Sequence, residues 1–104
     1  MLDDTSFHTK VDEIFLEIED RVDELNEDID AVSSGGVLTF TLENGSSVIL
    51  SRQIVNREIW VAAKIGGFHL SFYDDKWVCS ATGEKLDALL DRIFYEQGAS
   101  PPFS

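Results

Sequence analysis

Residues 4–26, DTSFHTKVDEIFLEIEDRVDELN, decide the fold. Their apolar members Phe7, Val11, Ile14, Phe15, Ile18, Val22 and Leu25 recur mostly at spacings of three and four, which is the pattern of one helical face. Asp3, Asp4, Thr5 and Ser6 offer capping chemistry at the start. A helix from about Asp4 to Asn26 would be ~34 Å long at about 1.5 Å per residue. One long helix packed by one apolar stripe is therefore expected.

Beyond this segment the periodicity changes from helical to alternating. Leu38, Phe40 and Leu42 share one face of a strand, and Val48 and Leu50 form the inward pair of the next. Further on, Ile59, Val61, Ala63 and Ile65 alternate with Trp60, Ala62 and Lys64, and Phe68, Leu70 and Phe72 alternate with His69, Ser71 and Tyr73. Gly35-Gly36, Asn44-Gly45, Gly66-Gly67 and Asp74-Asp75 separate these runs as hairpin signals. Trp77 and Cys79 flank Val78 in a last short strand and are expected to be packed. A closing helix reads Leu86, Leu89, Leu90, Ile93 and Phe94, with Thr82 or Ser80 as cap, Gly98 as stop and Pro101-Pro102 beyond. The order helix, hairpin-linked strands, helix predicts an α+β fold. Two helices would cover one face of an antiparallel sheet in a two-layer α/β sandwich, as a single domain over residues 1–104.

The chain's charge is concentrated in its opening. Twelve of its twenty acidic residues fall in residues 1–30 against only Lys10 and Arg21, so that segment carries −10 of the total −12. This disfavours binding to nucleic acid or to anionic lipid, both of which need basic residues. No apolar run reaches the ~20 residues of a membrane span, and the N-terminus lacks the pattern of a signal peptide. Cys79 is the only cysteine, which rules out an internal disulfide and fits a reducing cytoplasm.

On the helix, Glu13, Glu17, Asp20, Glu24 and then Glu27 or Asp28 follow a single exposed stripe, with Asp12, Glu19 and Asp23 beside it. Like charges at these spacings destabilise a helix by about 0.2–0.5 kcal/mol per pair. Asp23, Glu24 and Glu27 also lie near the helix C-terminus, where the dipole favours cations. A surface that serves only solubility would mix charge signs and would not oppose the dipole. A cation site or a docking surface for a basic partner accounts for the pattern better. Exposed carboxylates suit hard cations such as iron, manganese, calcium or a lanthanide. No enclosed cage or EF-hand spacing is present, so binding is expected to be weak and unselective. His8, one turn before Asp12, could add a nitrogen ligand.

Alternation sends Trp60 to the uncovered sheet face, where an exposed Trp suggests a contact surface. Arg52, Gln53, Lys64 and His69 are the expected neighbours. No catalytic constellation is visible: the chain has no phosphate-cradling glycine loop, no HExxH and no recognisable nucleophile motif.

Several short motifs in order carry a resemblance. The acidic helix with Ser6-Phe7-His8, then Asn44-Gly45-Ser46, Ser51-Arg52-Gln53, Ile59-Trp60-Val61-Ala62, Gly66-Gly67-Phe68-His69, and Trp77-Val78-Cys79 leading to Gly83-Glu84 resemble the bacterial frataxins, from about Ser6 to Gly98. The resemblance implies an α/β sandwich and an iron-binding protein of iron-sulfur cluster assembly. Such a protein would dock on the cysteine desulfurase and modulate sulfur delivery to the scaffold. It implies an iron ridge at Asp4, Glu19, Asp20, Asp23, Glu24, Asp28 and Asp30, with His8 nearby, and other divalent or trivalent cations are expected to substitute. Glu19, Asp20, Asp23 and Glu24, together with Trp60, Arg52 and Gln53, would meet the partner. The expected protein is a non-enzymatic bacterial cytoplasmic monomer, with metal-induced oligomerisation left open. Two alternatives stand beside it: an acidic adaptor whose metal binding is incidental, and an iron oxidase or storage protein.

Overall fold

The computed structural model describes residues 2–104. The opening helix forms as its spacing predicts and stops earlier than expected. α1 spans Asp4–Glu24, and the Asp3 side chain caps it by accepting the Ser6 N–H at 2.8 Å. That hydrogen bond also holds the Asp3 carboxyl below its ordinary pKa. Leu25 is the C-cap, and Asn26 follows at φ 55°, a left-handed conformation that Asn tolerates better than most residues. Glu27 and Asp28 therefore leave the helix instead of extending its acidic stripe.

Six strands follow: β1 (Asp30–Ser34), β2 (Val37–Thr41), β3 (Ser47–Gln53), β4 (Glu58–Ala63), β5 (Gly66–Tyr73) and β6 (Lys76–Cys79), before α2 (Leu86–Glu96). They pair antiparallel in sequence order as a meander. The two-residue link Gly35-Gly36 has both φ angles positive, 58° and 81°, as the tight β1–β2 hairpin requires. β1 was not expected from the alternation. All five of its residues are exposed, so no buried face imprinted a period of two. Ile65 also departs from expectation: it lies in the β4–β5 link and is 40% exposed.

Both helices cover one face of the sheet. Phe7, Val11, Phe15, Ile18 and Val22 of α1 and Leu89, Leu90, Ile93 and Phe94 of α2 meet Leu38, Phe40, Leu50, Ile59, Val61 and Leu70 in one core. Burying each such side chain stabilises the fold by about 1.5–3 kcal/mol. Trp77 and Cys79 are buried, as expected. α2 begins without the anticipated cap. Lys85 occupies the N-cap with no side-chain bond, while the Thr82 hydroxyl accepts the Glu84 N–H at 3.2 Å and so secures the preceding turn. Gly98 stops the helix at φ 92°, and the Ala99 N–H donates to the Phe94 carbonyl at 2.8 Å.

Gln97 is buried and joins α2 to two hairpins. Its Oε1 accepts the Lys64 N–H at 3.0 Å, its Nε2 donates to Ser46 Oγ at 3.0 Å, and its carbonyl accepts from Asn44 Nδ2 at 2.7 Å. The C-terminal segment folds back on the α1–β1 link and on α2. Ser100 donates its N–H and hydroxyl to the Glu27 carboxylate, and the Phe103 N–H donates to Asp91.

Candidate functional site: an acidic face and an open sheet face

The carboxylates of α1 divide into two groups. In the N-terminal half, Glu13 pairs with Lys10 of the same helix at 3.7 Å, and Asp4 and Asp12 are engaged by arginines from the sheet side. Arg57, in the β3–β4 link, pairs with Asp4. Arg52 of β3 pairs with Asp12 and donates through Nη1 to His8 Nδ1 at 2.7 Å. The Arg52 guanidinium also lies 5.9 Å from the Phe15 ring centroid. A cation approaching Asp4 or His8 would thus meet a resident guanidinium, and with Nδ1 accepting from Arg52 the neutral ring carries its proton on Nε2, so His8 offers a cation no free lone pair.

Toward the C-terminus the pattern reverses. Among the described residues, no ion pair involves Glu19, Asp20, Asp23, Glu24, Asp28 or Asp30. Arg21 shares this part of α1, but its guanidinium lies 5.2 Å from the Phe103 ring centroid, on the side where the C-terminal segment returns. Glu27 is committed elsewhere: its hydrogen bonds from the Ser100 hydroxyl and N–H pull its carboxyl below the ordinary pKa.

Contacts on the two flanks of α1 orient these side chains. His8 and Asp12 reach β3, whereas Lys10 lies 5.8 Å from the Phe72 ring centroid of β5 and Glu17 and Arg21 line a groove with Trp77 and Lys76 of β6. Asp12, Leu16, Glu19 and Asp23 follow spacings of four, three and four, so they continue the flank that faces β3, β2 and β1. Leu16 is 62% exposed on that flank.

The fit of this face to a metal follows from its donors. Carboxylate oxygens suit a hard cation. Among the described residues, no three His, Cys, Asp or Glu side chains are gathered as a group that could hold an ion. The donors are instead spread along the surface of α1 and the start of β1.

The face of the sheet away from the helices carries Trp60, as alternation predicts. In cross-strand register Val37, Ser51, Trp60 and His69 form one row. His69 stacks on Trp60 with ring centroids 4.2 Å apart and planes at 7°. The Trp60 indole N–H donates to Glu58 Oε1 at 2.8 Å, and His69 Nδ1 lies 4.0 Å from the same oxygen. Gln53 belongs to this face, its Nε2 donating to Ser51 Oγ at 3.2 Å. Arg52 does not. It shares the parity of buried Leu50 and pairs in register with buried Ile59, so the pleat directs it toward α1. Lys64 lies past the end of β4, in the turn. The expected polar neighbourhood of Trp60 is thus corrected to Glu58, His69, Ser51 and Gln53. Glu58 carried no signal of its own, because its role depends on the register that sets His69 of β5 beside Trp60.

An acidic first helix laid over a six-stranded meander, with an aromatic platform on the open face, defines the frataxin class of α/β sandwich. The chain belongs to the frataxin family: the model of the frataxin-like domain matches residues 1–100. It is 44% identical over 99 residues to the iron-sulfur cluster assembly protein CyaY of Stutzerimonas stutzeri (strain A1501), covering 93% of this chain and 90% of that one. In structure it matches the frataxin of Psychromonas ingrahamii at a TM-score of 0.91 and 25% identity, over 99% of both chains. It also shares the fold of a trimeric frataxin from the yeast Saccharomyces cerevisiae, complexed with ferrous iron. That match has a TM-score of 0.73 and 24% identity, over 84% of this chain and 83% of the other. No helix among the described residues is long and apolar enough to cross a membrane.

Proposed function

We propose that this protein serves iron-sulfur cluster assembly in the bacterial cytoplasm. It would bind iron weakly through surface carboxylates and dock by the same face on a basic surface of the cysteine desulfurase, next to the scaffold. The observation that carries this reading is the uncompensated set Glu19, Asp20, Asp23, Glu24, Asp28 and Asp30 in a chain 44% identical to an iron-sulfur cluster assembly protein. Iron is cargo here, not a resident cofactor. Asp4 and His8 contribute less than the sequence implied, because arginines hold them. Trp60 and Gln53 supply contact area on the open sheet face, whereas Arg52 acts through α1.

A second reading, an acidic adaptor with incidental metal binding, is favoured by the lack of a gathered ligand group among the described residues. Two measurements on the Glu19→Gln/Asp20→Asn/Asp23→Asn/Glu24→Gln variant separate them. Anaerobic Fe²⁺ titration should shift or broaden the α1 amide resonances from Glu19 onward in the wild type and not in the variant. Desulfurase pull-down should weaken steeply between low and physiological salt, since exposed charges are screened beyond about 8–10 Å. Unchanged resonances refute the iron reading, and salt-independent capture refutes electrostatic docking.

A further inference from the structure

β1 is a free sheet edge of an unusual kind. The opposite edge is closed: Cys79 of β6 donates its N–H to the Glu84 carbonyl at 2.8 Å, and Val78 bridges to Lys85. β1 has nothing on its outer side among the described residues. Exposed edges are usually blunted by Pro, Lys or a bulge, and Asp30-Ala31-Val32-Ser33-Ser34 contains neither Pro nor Lys and pairs with β2 without a bulge.

The register identifies which backbone groups are unpaired. In a hairpin closed by two residues, Ser34 and Val37 are a hydrogen-bonded pair, and the bonding alternates from there. Val32 and Asp30 thus bond to β2, while Ala31 and Ser33 direct their N–H and C=O outward. Ala31 and Ser33 also project small side chains to the helix side of the sheet, and both are exposed, so α1 does not cover them.

Above this edge runs the acidic flank of α1. From Asp12 to Asp23 it is ~16 Å long at about 1.5 Å per residue, against ~14 Å for β1 at about 3.4 Å per residue. The two run antiparallel. α1 leads through residues 25–29 into Asp30, and at the other end Gly36, beside Ser34, lies against the Arg52 side chain that holds Asp12. The unpaired carboxylates of Glu19 and Asp23, with Asp12 already held by Arg52 at the far end, therefore overlook a row of unpaired backbone groups. Val32, 60% exposed, lies on the other side of the same edge.

We propose that β1 receives an extended basic segment of a partner protein as a seventh strand. This rests on the docking reading above and specifies its geometry. Alternate side chains of the added strand would be basic, meeting the α1 carboxylates. The intervening ones would be small or apolar and would cover Val32. A second copy of this chain is disfavoured as occupant, because pairing β1 with itself would bring two strongly acidic flanks together.

The test uses the acetylated, amidated octapeptide Lys-Val-Lys-Val-Lys-Val-Lys-Val and its analogue N-methylated at every amide. The analogue keeps the charge and loses the donors. Ala31→Pro removes one outward donor without breaking a β1–β2 bond. Expected results are slowed amide exchange at Ala31 and Ser33 when the peptide is saturating, and affinity about tenfold lower for the analogue and for Ala31→Pro. Equal binding of peptide and analogue, or unchanged exchange at Ala31 and Ser33, overturns strand addition while leaving charge-driven docking intact. Failure of both peptides to bind at low salt overturns strand addition and the docking reading together. If Ala31→Pro does not fold, the comparison of peptide and analogue decides alone.

Discussion

Replacing Arg52 by Met separates the two jobs that the structure gives this residue. Met keeps an apolar stem beside Phe15 and removes the guanidinium. The change deletes the hydrogen bond to His8 at 2.7 Å, between partly buried groups, which contributes about 1–1.5 kcal/mol. It also deletes the Asp12 pair, where the aspartate side chain is 62% exposed, so screening limits that contribution to about 0.2–1 kcal/mol. The contact with the Phe15 ring adds about 0.5 kcal/mol. Against these losses stands Arg52 Nε, buried without a partner, whose removal recovers about 1 kcal/mol. The net expectation is a loss of about 1–2 kcal/mol, or about 5–12 °C in melting temperature for a domain of this size.

The same substitution should strengthen cation binding. Asp12 and His8 would lose the guanidinium that occupies them, and the free acidic flank would lengthen by about two turns, from Glu19 back to Asp12. Thermal denaturation with and without millimolar Mn²⁺ measures both effects at once. The Arg52→Met protein should melt lower than wild type without metal and gain more from Mn²⁺. If it melted with the wild type, Arg52 would not fasten α1 to the sheet. If Mn²⁺ raised both proteins equally, Arg52 would not be what keeps Asp12 and His8 out of the cation surface.

Three further outcomes follow from the same structure. Millimolar Mn²⁺, at about ten times a dissociation constant on the order of 0.1 mM, should stabilise the wild type by about 1.4 kcal/mol; differential scanning calorimetry should detect it, and the four-carboxylate variant should lose it. Gln97→Leu should cost about 1–3 kcal/mol in urea denaturation, because the Lys64 N–H and the Ser46 hydroxyl lose a buried partner. Glu84 is held below its ordinary pKa of 4.5 by hydrogen bonds from Arg92. Its folded-state pKa is the lower one, so its stabilisation is complete above about pH 4.5 and fades as pH falls through the folded value; the melting difference between wild type and Glu84→Gln should shrink accordingly.

The core was legible in the sequence because burial imprints a period. Phe7 to Val22, Leu38 to Leu42 and Leu86 to Phe94 each repeat at the spacing of the element they build, and each lies in the core. β1 was not legible, since a strand exposed on both faces has no period to imprint. The acidic flank was visible as composition, but its division into held and free halves was not. That division is set by Arg52 and Arg57, forty and fifty-three positions away from their partners Asp12 and Asp4. Arg52 was placed on the wrong face although Leu50 two positions earlier fixed its parity. The triplet Ser51-Arg52-Gln53 reads as one polar patch, and the pleat splits it.

The split along α1 bears on how one acidic surface can serve both folding and binding. Carboxylates that lack partners destabilise their helix, and two in the last turn, Asp23 and Glu24, also oppose its dipole. The N-terminal half relieves this with arginines, and those arginines tie the helix to the sheet. Were the same done at Glu19, Asp20, Asp23 and Glu24, the helix would be more stable and the face would be neutral. Repulsion left in place gives an arriving cation or basic segment something to relieve, so part of its binding free energy comes from the folded protein itself. Stability and affinity should therefore change in opposite directions across substitutions at these four positions. Single Asp→Asn or Glu→Gln changes there should stabilise the fold by a few tenths of a kcal/mol per relieved pair, and so raise the melting temperature, while weakening Mn²⁺ binding. A set of variants in which melting temperature and affinity fell together would refute that link.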